Sequence, residues 1–143
     1  MRRTPLLNAI RFFLAVVFIV YGLTKLLGGQ FNYGDWTLDK KTVDGTSLVW
    51  AFYGYSPVYA RFLGLTELIP AILLLIPRTA TVGALMLFMV TLNVTVLDFA
   101  FGFPSVKYFA LLYTLLLGML LWSDRAKLLR LLERAPSNTV VDG

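Results

Sequence analysis

The 143-residue chain contains no cysteine and no histidine. The first absence removes thiol–disulfide chemistry and thiolate metal sites. The second removes the usual imidazole acid–base group and haem bound through histidine. No metal or haem site is therefore expected, and any chemistry must run on carboxylates, amines, hydroxyls or a borrowed cofactor. Charge is scarce as well, since Asp, Glu, Lys and Arg together make up 15% of the residues.

What is abundant is oil. Hydrophobic residues make up 58% of the chain and the mean hydropathy is +0.74, too apolar for a water-soluble globule of this length. Four apolar stretches, 6–27, 57–76, 79–99 and 106–122, stand out. Each is close to the ~20 residues that a helix needs to cross a ~30 Å hydrocarbon core. Lipid cannot hydrogen-bond backbone amides, so helices are the only open-ended way across. The expected fold is an all-α membrane protein, a four-transmembrane-helix bundle forming one domain over 1–134, with a disordered tail at 135–143. The amino terminus begins like a signal peptide, but Arg11 interrupts the apolar run and no small-x-small cleavage site follows, so a retained first helix is expected.

The net charge of +5 follows orientation. If the helices alternate, Arg2, Arg3, Arg78, Arg125, Lys127, Arg130 and Arg134 share one side, while Lys40 and Lys41 on the other are offset by Asp35, Asp39 and Asp44. The positive-inside rule then places both termini in the cytoplasm and the protein in the bacterial inner membrane, with no call for a nucleic-acid partner. Residues 28–56 face outward. They carry Phe31, Tyr33, Trp36, Trp50, Phe52, Tyr53 and Tyr55, rings suited to the headgroup layer, where Trp36 and Trp50 either form a lid over a site or anchor the loop. After the VDGT turn at 43–46, SLVWAFYGY reads as a short interfacial helix or strand. SDRAKLLRLLERA, capped by Ser123 or Asp124, reads as an amphipathic helix drawn to anionic membrane lipids. No internal repeat is evident.

A charge inside a span is costly enough to suggest function. In the first span Asn8, Arg11, Ala15, Phe18, Gly22, Lys25 and Gly29 follow a three-four spacing, a seam of small and polar residues that points into a bundle. In the second, Glu67 shares a face with Ala60, Gly64, Ala71 and Leu74, and Pro70 leaves the Thr66 carbonyl without its helical donor. In the third, Asn93 lies nearly opposite Thr91, Thr95 and Asp98, and Asn93 is expected to face inward. Lys107, Thr114 and Gly118 share a side of the fourth. The expectation is a polar pocket open to the outer leaflet, with Glu67 as its floor, Lys25, Lys107 and Asn93 as partners, and Gly22 and Gly64 leaving room. Arg11 sits deep on the inner side. The competing reading is a network that only fixes helix packing.

RFFLAVVFIVYGLTKL (11–26), with an early Arg and a Gly-x-x-Lys, and GLTELIPAILLLIPRTATVGALML (64–87), with Glu and then Arg-Thr, together resemble the DoxX family. The resemblance spans most of 6–132 and implies a small four-helix membrane protein, in some members a subunit of a quinone-linked oxidoreductase. It also implies roles for Arg11, Gly22, Lys25, Glu67 and Arg78. The function expected from it is an accessory membrane protein binding a quinone- or lipid-like ligand and serving a partner oxidoreductase or forming a homo-oligomer. The alternatives are a structural or chaperone-like assembly subunit, and a membrane enzyme using Glu67 as its acid–base group.

Overall fold

In the computed structural model the chain is described from residue 4 to residue 133. Arg2, Arg3, Arg134 and the expected disordered tail lie outside the described residues, as does the side chain of Arg130. The described residues form helices α1 (Pro5–Leu26), α2 (Gly45–Tyr55), α3 (Pro57–Leu75), α4 (Ala80–Ala100), α5 (Val106–Ser123) and α6 (Arg125–Glu133), with no strand among them. Helices α1, α3, α4 and α5 are long and apolar enough to cross a membrane.

Local chemistry sets the helix ends. Thr4 caps α1, whose first residue is Pro5, and Ser56 caps α3, whose first residue is Pro57. In both, the cap oxygen accepts an amide hydrogen that the first turn would otherwise leave unpaired, while the proline has none to satisfy. After α1 the chain reverses at Gly28 (φ 77°), a left-handed conformation that favours glycine. Between α3 and α4 the Thr79 hydroxyl donates to the Leu73 carbonyl at 2.9 Å. The segment SLVWAFYGY is helical, within α2, and does not form a strand.

α1 packs on α3, α3 on α4 and α4 on α5, while α5 returns to α1 only sparsely. Leu14, Phe18, Leu74, Leu87, Leu117 and Leu120 fill the centre. Val16, Phe62, Met89 and Leu115 are more than half exposed and point outward, as apolar residues must where lipid is the solvent. α2 and its flanking loop cap one end of the bundle. Phe31 is buried there against Trp50 at 5.6 Å and Tyr53 at 5.4 Å, and Trp50 reaches Phe103 at 6.0 Å. At the other end Asp124, between α5 and α6, accepts from Thr81 at 2.7 Å and from Lys127 at 2.9 Å, which ties α6 to α4.

Two outcomes test this arrangement. With no native cysteine, Lys40→Cys should react with an impermeant thiol reagent on intact cells, and Lys127→Cys only after lysis; the reverse pattern would overturn the cytoplasmic placement of the termini. At the start of α2 the exposed Asp44 carboxylate accepts from the Ser47 hydroxyl at 2.7 Å and amide at 2.9 Å, which holds it below the usual carboxylate range. A depressed folded value means that this cap's contribution is present above the unfolded pKa of about 3.9 and is lost as pH falls through the folded one. Amide exchange in the first turn of α2 should therefore quicken only below about pH 4. Asp44→Ala should lack that acid step.

Candidate functional site: a buried ion pair at a glycine crossing

α1 and α3 run antiparallel and touch backbone to backbone. A Cβ on Gly22 would lie 2.8 Å from the Gly64 carbonyl oxygen and 2.9 Å from the Leu68 amide nitrogen; a Cβ on Gly64 would lie 2.8 Å from the Gly22 oxygen and 3.1 Å from the Leu26 nitrogen. Only glycine fits at either position. The two sets of contacts mirror one another because the two helices carry the same words, Gly-Leu-Thr-Lys-Leu at 22–26 and Gly-Leu-Thr-Glu-Leu at 64–68. A short repeat is thus present after all. It escapes a search for repeated domains because it is five residues long and is used in opposite directions about a local twofold axis.

Side chains on a helix lean toward its amino terminus, so on antiparallel helices Lys25 and Glu67 lean toward each other. Their Nζ and Oε2 atoms meet at 2.6 Å, with the two residues 8% and 6% exposed. The lysine also lies 5.7 Å from the Tyr21 ring centroid. Such a pair is short, charge-assisted and shielded from screening. Removing either member would strand the other charge at a cost of about 3–5 kcal/mol.

The other expected site residues are distributed differently. Asn93 is exposed on the lipid side of α4, and the inward polar face is the opposite one, Thr91, Thr95 and Asp98. The threonines can be buried because their hydroxyls find partners: Thr95 bonds the Thr91 carbonyl at 2.7 Å and Thr114 on α5 at 2.9 Å. An amide at Asn93 would have had no comparable partner there. Lys107 rests over the Phe99 and Tyr108 rings, at 5.6 and 5.3 Å, and makes no ion pair with Glu67. Arg11 is buried in the α6-side half of α1, its guanidinium 4.6 Å from the Phe12 ring centroid, whereas Arg78 is exposed beyond the end of α3. Trp50 belongs to the cap, and Trp36 lines an apolar groove of about 290 Å³ with Leu38, Leu48, Ala51, Phe52 and Tyr55. Pro70 is fully buried, with Gly83 of α4 pressed on its carbonyl.

The fold and its centre define a class: a small membrane protein with four helices able to span, whose α1–α3 crossing holds a buried ion pair. The chain belongs to the family described as methylamine utilisation protein MauE, which matches residues 3–104 and so takes in α1 to α4 with both halves of the pair. It is also 36% identical over 126 residues to the uncharacterized protein YwoB of Bacillus subtilis (strain 168), an alignment covering 88% of this chain and 81% of that protein. No solved structure matches it. The family match overturns the DoxX resemblance. Apolar runs and a Gly-x-x-Lys are what a close antiparallel crossing in lipid requires, so they occur outside any one family.

The twofold gives the pair a specific signature. Lys25→Ala or Glu67→Ala should each lower thermal stability in detergent, by about 3–5 kcal/mol. The exchange Lys25→Glu with Glu67→Lys should recover most of that loss, because the crossing makes the two positions nearly equivalent. A doubly exchanged protein as unstable as the sum of its single variants would show that the two side chains are not direct partners.

Proposed function

We propose that the protein is an accessory integral membrane subunit that works docked to a partner membrane protein through α4. The observation that carries this reading is Asn93. Its amide is exposed near the middle of a spanning helix, where hydrocarbon can satisfy none of its hydrogen-bonding groups. Polar side chains in that position serve helix–helix contacts. Met86 and Met89 are exposed on the same helix, as is Val96, and their three-four spacing with Asn93 makes a stripe able to receive another helix. The family description ties relatives to methylamine utilisation; we carry over that process and no particular activity. A chain without cysteine or histidine has no thiol to exchange electrons and no imidazole to hold a redox metal, which favours a supporting role in it.

A second reading, favoured by a different observation, is a quinone- or lipid-like ligand beside the ion pair. The sparse α1–α5 seam is lined by rings: Tyr113 lies 6.3 Å from Phe13, 5.7 Å from Phe18 and 6.5 Å from Tyr21, and Tyr21 adjoins Lys25. A flat or extended apolar molecule entering from the bilayer between α1 and α5 would reach the charges by that route.

A photoreactive amino acid at Met89 in native membranes should give one discrete protein adduct, while the same group at Val16 on α1 gives lipid adducts. Asn93→Leu should remove the Met89 adduct without lowering the melting temperature of the purified protein. Adducts to lipid alone at Met89 would rule out the docking reading, and an adduct of twice this chain's mass would identify a second copy as the partner. Quinone or lipid that co-purifies with the wild type but is lost from Tyr113→Ala would support the ligand reading.

A further inference from the structure

A second polar centre lies beneath the α2 cap. Asp98, at the cap end of α4, is 4% exposed, yet its carboxylate takes part in no hydrogen bond or ion pair among the described residues, and its Oδ2 is fully buried. The Oε1 atom of Gln30, in the segment that leads into the cap, is buried without a donor too. Both are acceptors, so what the region calls for is N–H or O–H groups. Native proteins seldom leave buried acceptors in this state without a functional reason.

The charges agree. At this end of the bundle the buried charges among the described residues are Lys25, Glu67 and Asp98. Lys25 and Glu67 neutralise each other, which leaves the region one negative charge in excess. Lys107, a candidate cation at this end, is half-buried and lies over the Phe99 and Tyr108 rings.

Aromatic residues of the cap lie at the end of α4 that carries Asp98. The Phe103 amide bonds the Asp98 carbonyl at 3.0 Å, which brings Phe103 and its neighbour Trp50 over the end of α4. The start of α2 rests on the Phe101 backbone. Burial pushes the phenol of Tyr53 in α2 up, and Tyr59, Asp98 and Glu67 add to the rise.

We propose that Asp98 and the aromatic underside of the cap bind a small alkylammonium ion. Its N–H groups would satisfy the carboxylate, its positive charge would balance the excess, and its alkyl part would lie against ring faces, which attract cations. A divalent metal fits less well, because no group of three or more acidic or histidine side chains gathers anywhere among the described residues. The site is separate from the docking stripe, since Asp98 faces inward and Asn93 outward on α4.

The test uses the full chain in nanodiscs of zwitterionic lipid, with methylammonium or sodium chloride added at equal ionic strength. Methylammonium should raise the melting temperature by a few degrees and shift the Trp50 emission, read in Trp36→Phe, Trp122→Phe protein so that Trp50 is the one tryptophan left. Sodium should do neither. Asp98→Asn should melt higher than wild type when no ammonium is present, because an unpaired buried charge has been removed, and should lose the response to methylammonium. Lys127→Gln should keep it. Equal effects of the two salts would overturn the proposal, and that arm needs no substitution at Asp98. A response surviving in Asp98→Asn would also overturn it. So would a lower melting temperature for Asp98→Asn, which would show that the carboxylate already has a counter-charge within the protein, with Lys107 the candidate.

Discussion

The bond between Lys25 and Glu67 is the contact on which the rest of the bundle depends. In a bilayer, apolar side chains gain little by touching one another, because lipid is as apolar as they are. A charge has no such indifference. Left facing hydrocarbon it is among the costliest arrangements available to a helix, so the pair fixes which faces of α1 and α3 meet and at what depth. The glycines let this happen by bringing the backbones close enough for the two side chains to bridge the remainder. α4 and α5 are then added by softer means, a proline carbonyl against Gly83 and a threonine pair.

Much of this was legible in the sequence. Span number, the inward placement of Gly22, Lys25, Gly64 and Glu67, and the choice of Lys25 as the favoured partner of Glu67 all follow from three-four spacing and the cost of an unpaired charge. The segment before α3 read as a helix or a strand, since its aromatic and small residues suit either, and it is the helix α2 that forms. The repeat of Gly-Leu-Thr was visible in the letters and carried no meaning until the antiparallel contact gave it a twofold axis.

α4 is where reading from sequence went astray, and the reason is physical. Asn93 and the Thr91–Thr95–Asp98 face are both polar, and periodicity alone cannot say which side a helix turns inward. Each of these threonines can bond back to its own helix. That property is what lets them be buried, since a hydroxyl already satisfied costs little to enclose and can still reach across to Thr114. The asparagine, with more groups to satisfy, was left to the outside. The family assignment failed for a related reason: features imposed by packing in lipid are shared more widely than ancestry.

The distance between the partners along the chain bears on how the protein is made. Lys25 precedes Glu67 by 42 residues, with a loop and helix α2 between them. As the chain emerges from the ribosome, α1 therefore leads α3 and its carboxylate into the bilayer. Lysine suits that interval, because its long flexible stem lets the ammonium reach up to the headgroup layer from a position near the helix end. Only when α3 follows can the side chain turn down to meet Glu67. That order of synthesis suits a cation near the end of the first helix and an acid near the middle of the later one.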